Sequence, residues 1–370
     1  MRIGILTFHA ADNYGAVLQA YALQEYLTGL GHSVEIIDYR PEYLINGYRI
    51  CPKSRYKGIK GVIRTLGREI FNFIKMGHCH YLKILKKRAF ANFRAKYLNL
   101  SKNIFRGVVD NDMNYDAVFF GSDQIWSMRH TGGGDILFMG GFPSQKGTLK
   151  IAYAASAGKY FEALLNCKTF LDNVNNFDSL SVRELDLYNA VKTVYKGEPE
   201  VVVDPTLLAP EGIWAPFIGK PIIPRGYVLI YEVIENSRIN DFANKLAKEL
   251  GVEIIRIWDG YKLSWRKYTL NMGPDAFVNL IKYARCVLTT SFHAVAFSLI
   301  FKKDFYFLSN KEPAENRITS ILTYLNLMDR YTENVKTSFT PIDWNSVGFD
   351  EKIAKLRSQS ANFIDNSLRR

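Results

Sequence analysis

Residues 286–301 read CVLTTSFHAVAFSLIF. The first half, Cys286–Thr289, is short, apolar and β-favouring, which predicts a buried strand. The second half, Phe292–Phe301, is almost wholly apolar and long enough for a buried helix. Ser291 stands before that helix and can cap it by accepting a hydrogen bond from a free backbone N–H. His293 then falls in the first turn, at the carboxyl end of a strand, where open α/β sheets bind ligands. The helix N-terminus offers unpaired N–H groups and partial positive charge, favouring an anion by about 0.3–1 kcal/mol. An imidazole beside an anion site is a candidate acid or base. The plainer alternative is a half-buried, hydrogen-bonded structural histidine.

Working outward, the same strand–helix rhythm recurs. Arg2–Phe8 is an apolar strand, followed by a polar turn from His9 to Gly15. Ala16–Leu30 has helical periodicity, and Val34–Asp38 is the next strand. This βαβ unit predicts a parallel, doubly wound sheet. The turn has neither a G-x-G-x-x-G nor a P-loop lysine, so no nicotinamide or ATP signature is present. Asn13 and Tyr14 can project from it into a ligand cleft, or the segment is a plain turn. Ala117–Phe120 is a further strand, ending in Gly121, Ser122, Asp123 and Gln124. That turn exposes backbone N–H groups and short polar side chains. Gly132–Gly134 reads as a flexible loop. Lys150–Ala154 is a strand, Phe161–Asn173 a helix, and Ser179–Val182 a short strand leading to Arg183. An arginine facing a cleft suits bidentate binding of carboxylate or phosphate; pairing with Glu184 or Asp186 is the alternative.

Val201–Val203 is a last strand, stopped by Asp204-Pro205-Thr206, and the chain is then rich in Pro and Gly as far as Pro224. This places a domain boundary. The expected organisation is an α/β, Rossmann-like domain over 1–203 with a basic helical insertion at about 47–110. A linker follows at 204–225, then a second Rossmann-like domain over 226–345. A polar helix over 346–370 should pack back on the first domain.

The chain has 370 residues, 48% of them hydrophobic, enough for two large cores. No run of 18 uncharged apolar residues occurs, so no transmembrane helix is expected. The N-terminal stretch is too short and strand-like for a signal peptide. Cys51, Cys79, Cys167 and Cys286 are scattered, suggesting reduced thiols and a cytoplasmic location. The net charge of +12 implies an anionic partner or surface. Thirteen Lys or Arg lie in 53–96 against the single acid Glu69, with apolar residues at helical spacing. This reads as a basic amphipathic insertion resting on an anionic membrane surface, or as two helices that cover the core with solvated lysines. His78-Cys79-His80 is a poor zinc pattern, and no acidic cluster demands a metal. No nucleic-acid module is recognisable.

Six motifs in order carry a family resemblance: NYGAVLQAYAL at 13–23, DAVFFGSDQIW at 116–126, YAASAG at 153–158, SVRE at 181–184, VDPTLL at 203–208, and GPDAF followed by VLTTSFHAVAFSLIF. Together they resemble the polysaccharide pyruvyl transferase family over roughly residues 2–330. The resemblance implies a two-domain fold similar to the B-type glycosyltransferases, with the acceptor on the first domain and the donor on the second. It implies transfer of the pyruvyl skeleton from phosphoenolpyruvate to a sugar in capsule, exopolysaccharide or cell-wall synthesis, without a cofactor. The family's proposed catalytic histidine maps onto His293, and a donor-binding arginine onto Arg183. Ser291, Phe292, Asn13, Tyr14, Ser122, Asp123 and Gln124 are the further expected substrate contacts. Some relatives carry an arginine two residues before the histidine, where this chain has Ser291. The donor's charge then falls to Arg317, Arg285 or the helix N-terminus. Because that terminus disfavours imidazolium, the donor is expected to bind before the catalytic proton is loaded. The basic insertion tilts the acceptor towards a lipid-diphosphate-linked sugar at the inner face of the membrane. A sugar-nucleotide glycosyltransferase and a non-catalytic polymer- or lipid-binding protein are the competing readings.

Overall fold

Of the 370 residues, the computed structural model describes 1–48, 63, 67, 81–107, 113–158, 161–257, 269–270, 272–311, 315–336 and 338–370. Most of the basic 53–96 stretch, including His78-Cys79-His80, lies outside the described residues.

The first sheet is built from β1 (Arg2–Leu6), β2 (Ser33–Ile36), β3 (Ala117–Gly121), β4 (Leu149–Ala155), β5 (Ser179–Val182) and β6 (Glu200–Val201), in the order 2-1-3-4-5-6. The second is built from β7 (Tyr227–Tyr231), β8 (Glu253–Ile257), β9 (Thr269–Leu270), β10 (Cys286–Thr289), β11 (Phe305–Leu308) and β12 (Tyr331–Thr332), in the order 12-11-10-7-8-9. Every pairing among the described residues is parallel. Central strands such as Ala117–Gly121 and Cys286–Thr289 are buried along their whole length, as expected where helices cover both faces of a parallel sheet. The helices are α1 (Tyr14–Gly29), α2 (Glu42–Asn46), α3 (81–97), α4 (Phe161–Leu165), α5 (Lys168–Asn173), α6 (Leu185–Val191), α7 (Pro205–Leu208), α8 (Ile239–Leu250), α9 (Pro274–Tyr283), α10 (Phe292–Ile300), α11 (Asn316–Tyr324) and α12 (Phe349–Leu368). The single helix expected over 161–173 is two short ones, α4 and α5.

Alternate strand residues feed different cores. Ile3, Phe119 and Tyr153 join Leu229, Val287 and Phe305 in one apolar core that spans both domains. Val118, Phe120 and Leu180 fill a separate core on the other face of the first sheet, and Val228, Leu288 and Tyr306 one on the second. The domains are therefore joined by hydrocarbon rather than by a wet interface. Tyr14 stacks on Phe277 with centroids 4.6 Å apart, and Trp214 meets Phe297 edge-on at 4.7 Å. Helix α12 lies against the first sheet: Val203 N–H donates to Ser360 Oγ at 3.0 Å, Arg357 Nε donates to the Leu207 carbonyl at 2.7 Å, and Phe363 packs near Tyr153. A joint of this kind presents its cleft in a fixed geometry, in contrast to loosely hinged domains.

Candidate active site in the interdomain cleft

In each sheet the strand order reverses at one point, between β1 and β3 in the first and between β7 and β10 in the second. The carboxyl ends of these strands open on one cleft of about 450 Å³. Its walls include Phe8 and Asn13 after β1, Asp123 and Gln124 after β3, Val233 and Ile234 after β7, and Thr290–His293 after β10. Thr290 ties the second pair together, its Oγ1 accepting from Val233 N–H at 3.0 Å and Ile234 N–H at 3.2 Å.

Two helices begin at this cleft, one from each domain. Asn13 caps α1 by accepting from Ala16 N–H at 3.2 Å, and Ser291 caps α10 by accepting from Ala294 N–H at 3.5 Å. Both positive helix ends thus favour negative charge in the cleft. His293 sits in the first turn of α10, 8% exposed, on the cleft wall. The Nδ1 edge of its ring lies against Gly15 in the first turn of α1. A methyl group added to Gly15 would fall 2.0 Å from Nδ1. Glycine is required at this position because no side chain fits between the two helix ends.

On the other side, His293 Nε2 stands 3.7 Å from Asp204 Oδ2. Asp204 is 2% exposed and satisfied on both oxygens. Oδ2 accepts from Ser122 Oγ at 2.8 Å and Arg183 Nη1 at 2.7 Å; Oδ1 accepts from the Thr206 N–H at 3.0 Å and its hydroxyl at 2.8 Å. Burial alone would raise its pKa. His293, Arg183 and the Thr206 amide outweigh burial and hold the carboxyl far below the usual range, so it is ionised.

Arg317 supplies cationic charge to the cleft wall. Its guanidinium lies over the Phe292 ring at 5.1 Å, and that of Arg183 lies over the same ring at 5.6 Å. Burial, then the charge of Arg183, push Arg317 down to about 10, with Glu184, Asp123 and Asp204 opposing. It therefore remains charged at neutral pH. Its buried Nε has no hydrogen-bond partner among the described residues. A buried donor of that kind is costly until an acceptor meets it.

The sequence model of the polysaccharide pyruvyl transferase family matches residues 13–312, from the α1 cap past β11, a range that includes most of the cleft wall. The chain belongs to the polysaccharide pyruvyl transferase family. No curated protein matches its sequence. Among solved structures, it is similar to UGT89C1 of Arabidopsis thaliana complexed with UDP, at TM-score 0.46 and 10% identity, over 100% of this chain and 98% of that one. It is also similar to UDP-N-acetylglucosamine 2-epimerase from Rickettsia bellii, at TM-score 0.45 and 10% identity, over 100% and 96%. The E. coli heptosyltransferase WaaC with ADP gives TM-score 0.38 and 12% identity, over 85% and 89%. The fold is two Rossmann-like domains facing across a cleft.

The cleft gathers His293, Ser291, Phe292, Asn13, Asp123, Gln124 and Arg317. Three expected contacts lie elsewhere. Tyr14 is wholly buried in the interdomain core, its hydroxyl donating to the Met272 carbonyl at 2.7 Å. Ser122 is buried behind the wall as a donor to Asp204. Arg183 does bind a carboxylate, but one of this chain, Asp204; Glu184 is 3.8 Å from its Nε, and Asp186 accepts from Asn316 instead. Arg285 precedes β10, so it sits at the end of the second sheet away from the cleft. Asp123 holds the left-handed φ of 68°, and its Oδ1 accepts from the Gln124 N–H at 2.8 Å. All three residues of the triple glycine 132–134 have positive φ.

Asp204, Gly15, Tyr43, Arg129 and His130 escaped the sequence reading. Asp204 carried a signal: an aspartate followed by Pro and Thr is a helix-capping pattern, here the start of α7. His130 lines the first-domain wall. Burial lowers its pKa, Asp123 opposes, and Arg129 and Arg317 reinforce the lowering, so its imidazole is neutral at pH 7.

Proposed function

We propose that this protein transfers the pyruvyl group of phosphoenolpyruvate to two hydroxyls of one sugar, forming a cyclic ketal and releasing phosphate. The observation that carries the reading is His293, set in a cleft between two helix N-termini and beside the ionised Asp204. Phosphoenolpyruvate needs a proton on its methylene carbon, and the neighbouring carbon then becomes oxocarbenium-like. A sugar hydroxyl attacks that carbon, the C–O bond to phosphate breaks, and a second hydroxyl closes the ring. Of the two hydroxyl protons released, one replaces the proton given to the methyl group and the other leaves with phosphate.

His293 is the proton donor, its Nε2 3.7 Å from the ionised Asp204. Arg317 and the α10 N-terminus hold the donor's anionic groups. The neutral His130, on the opposite wall, suits acceptance of a hydroxyl proton. The acceptor is a sugar of a surface-polysaccharide precursor. The thirteen basic residues of 53–96 support a lipid-diphosphate-linked carrier at an anionic membrane surface. The contact proposed is a peripheral one; no helix among the described residues is long and apolar enough to cross a membrane.

The test is phosphate release from phosphoenolpyruvate with free, nucleotide-linked and lipid-linked sugars, with the product analysed by mass spectrometry. Sugar-dependent phosphate release matched by ketal formation is expected. Release of nucleoside diphosphate from a sugar nucleotide, with phosphoenolpyruvate untouched, would overturn the reading. Arg317→Gln should raise the KM for phosphoenolpyruvate by about 10- to 100-fold, in keeping with loss of a charge-assisted contact. An unchanged donor KM would remove Arg317 from the donor site.

A further inference from the structure

We propose that Tyr43 is the platform for the acceptor sugar, a pyranose seated with one C–H face on the tyrosine ring. This rests on the pyruvyl-transfer reading above and adds the acceptor's place within it. Tyr43 lies in α2 on the first-domain wall of the cleft, half-buried. Its hydroxyl does not face the cleft chemistry. It donates to Asp135 Oδ2 at 2.5 Å, and Tyr39 donates to the same oxygen at 2.8 Å. Asp135 Oδ1 accepts from the Leu137 N–H at 2.9 Å, and the residue is 8% exposed. Burial and then the Asp135 charge raise the Tyr43 pKa far above its ordinary value, so the phenol keeps its proton. The ring is therefore pinned at its tip and has no acid–base part to play.

Gly132, with a φ of +70°, lies beside the Tyr43 side chain; a methyl group there would stand at ordinary van der Waals distance, 3.7 Å, from Tyr43 Cβ. The ring, tethered at its hydroxyl, lines the cleft as a flat, apolar side chain. Short polar groups stand on the same wall, at Asn13, Asp123 and Gln124. An apolar aromatic side chain with hydrogen-bonding groups on the same wall is complementary to a pyranose, which has an apolar C–H face and hydroxyls at its rim. The chemistry also calls for such a hold. Two hydroxyls of one sugar must reach the same carbon in succession, so the sugar must stay in register between the two bond-forming steps.

The experiment measures pyruvyl transfer to the sugar selected by the panel above, with wild type, Tyr43→Leu, Tyr43→Ala and Tyr43→Phe. Tyr43→Leu keeps bulk against Gly132 but has no aromatic face. Loss of that face should raise the acceptor KM about tenfold in the Leu and Ala variants. The KM for phosphoenolpyruvate should move far less. Tyr43→Phe keeps the face and loses only the Asp135 tether, so its acceptor KM should stay within about threefold of wild type. A direct readout needs no turnover: the ring protons of the free sugar should receive saturation from the wild-type protein's aromatic protons, and not in Tyr43→Leu. If wild type transfers pyruvate but Tyr43→Leu shows the wild-type acceptor KM, the platform is overturned while the activity stands. If wild type transfers pyruvate to no sugar, the activity fails and the platform with it.

Discussion

Replacing Asp204 with alanine should lower the stability of the folded chain by about 3–5 kcal/mol. The carboxylate holds Arg183 Nη1 at 2.7 Å inside the protein, where the Arg183 side chain is only 2% exposed. Without it, a buried guanidinium has no counter-ion at hydrogen-bond distance, and Ser122 Oγ and both Thr206 donors lose their acceptor. Breaking one side of a buried pair costs more than the pair itself contributes. Urea unfolding at pH 7 reads this as a lower midpoint at unchanged slope. The pH dependence supplies an independent check. The native pKa of Asp204 is depressed, so its contribution is complete above the unfolded value of about 3.9 and disappears as pH falls below that towards the native value. Wild type should therefore lose stability more steeply below about pH 4 than Asp204→Asn, which has no such proton to gain. A variant with the wild-type midpoint and the wild-type acid limb would show that the carboxylate does not hold this junction together.

Much of the fold was legible because its signals are local. A strand buried on both faces must be apolar throughout, and runs such as AVFF at 117–120 and CVLT at 286–289 carry that mark. The α10 end was legible for the same reason: cap, first turn and imidazole are three consecutive residues. The remainder of the site depends on residues distant in sequence. Asp204 meets Ser122 across 82 positions, and Gly15 meets a histidine from the other domain. No pattern within a window of the chain encodes either meeting. Tyr14 shows how a local reading goes astray. It follows Asn13 directly, so a loop would place both near the same cleft. On a helix, successive residues turn by about 100°. Asn13 thus caps towards the cleft, Tyr14 swings into the core against Phe277, and Gly15 receives the histidine. Arg183 shows another limit: the sequence offered a ligand's carboxylate or phosphate, or pairing with Glu184 or Asp186, whereas its hydrogen-bonded carboxylate is that of Asp204, 21 residues further on.

His293→Ala should reduce ketal formation by about 10²–10⁴-fold, the usual contribution of a positioned proton donor. That result alone would not separate an acid from a spacer, because removing a ring also leaves a hole. Gly15→Ala separates them. It leaves every titratable group in place, yet its methyl group would lie 2.0 Å from Nδ1 and 2.3 Å from Cε1 of His293. Neither neighbour can yield cheaply: the first turn of α1 is held by the Asn13 cap and by the stack of Tyr14 on Phe277, and Asp204 stands behind the ring. The imidazole must therefore be displaced, and overpacking of this kind costs about 1–3 kcal/mol in stability. Activity should fall far more than stability does, because a shift of about 1 Å in a reacting group is worth about 100-fold. The double variant Gly15→Ala/His293→Ala gives the decisive comparison. If the methyl group acts only by moving the imidazole, it has nothing to move once the ring is gone, and the double variant should be no slower than His293→Ala alone. Multiplicative losses would mean that Gly15 serves the reaction by another route, and that the close approach of the two helix ends is a packing feature rather than the seat of the acid.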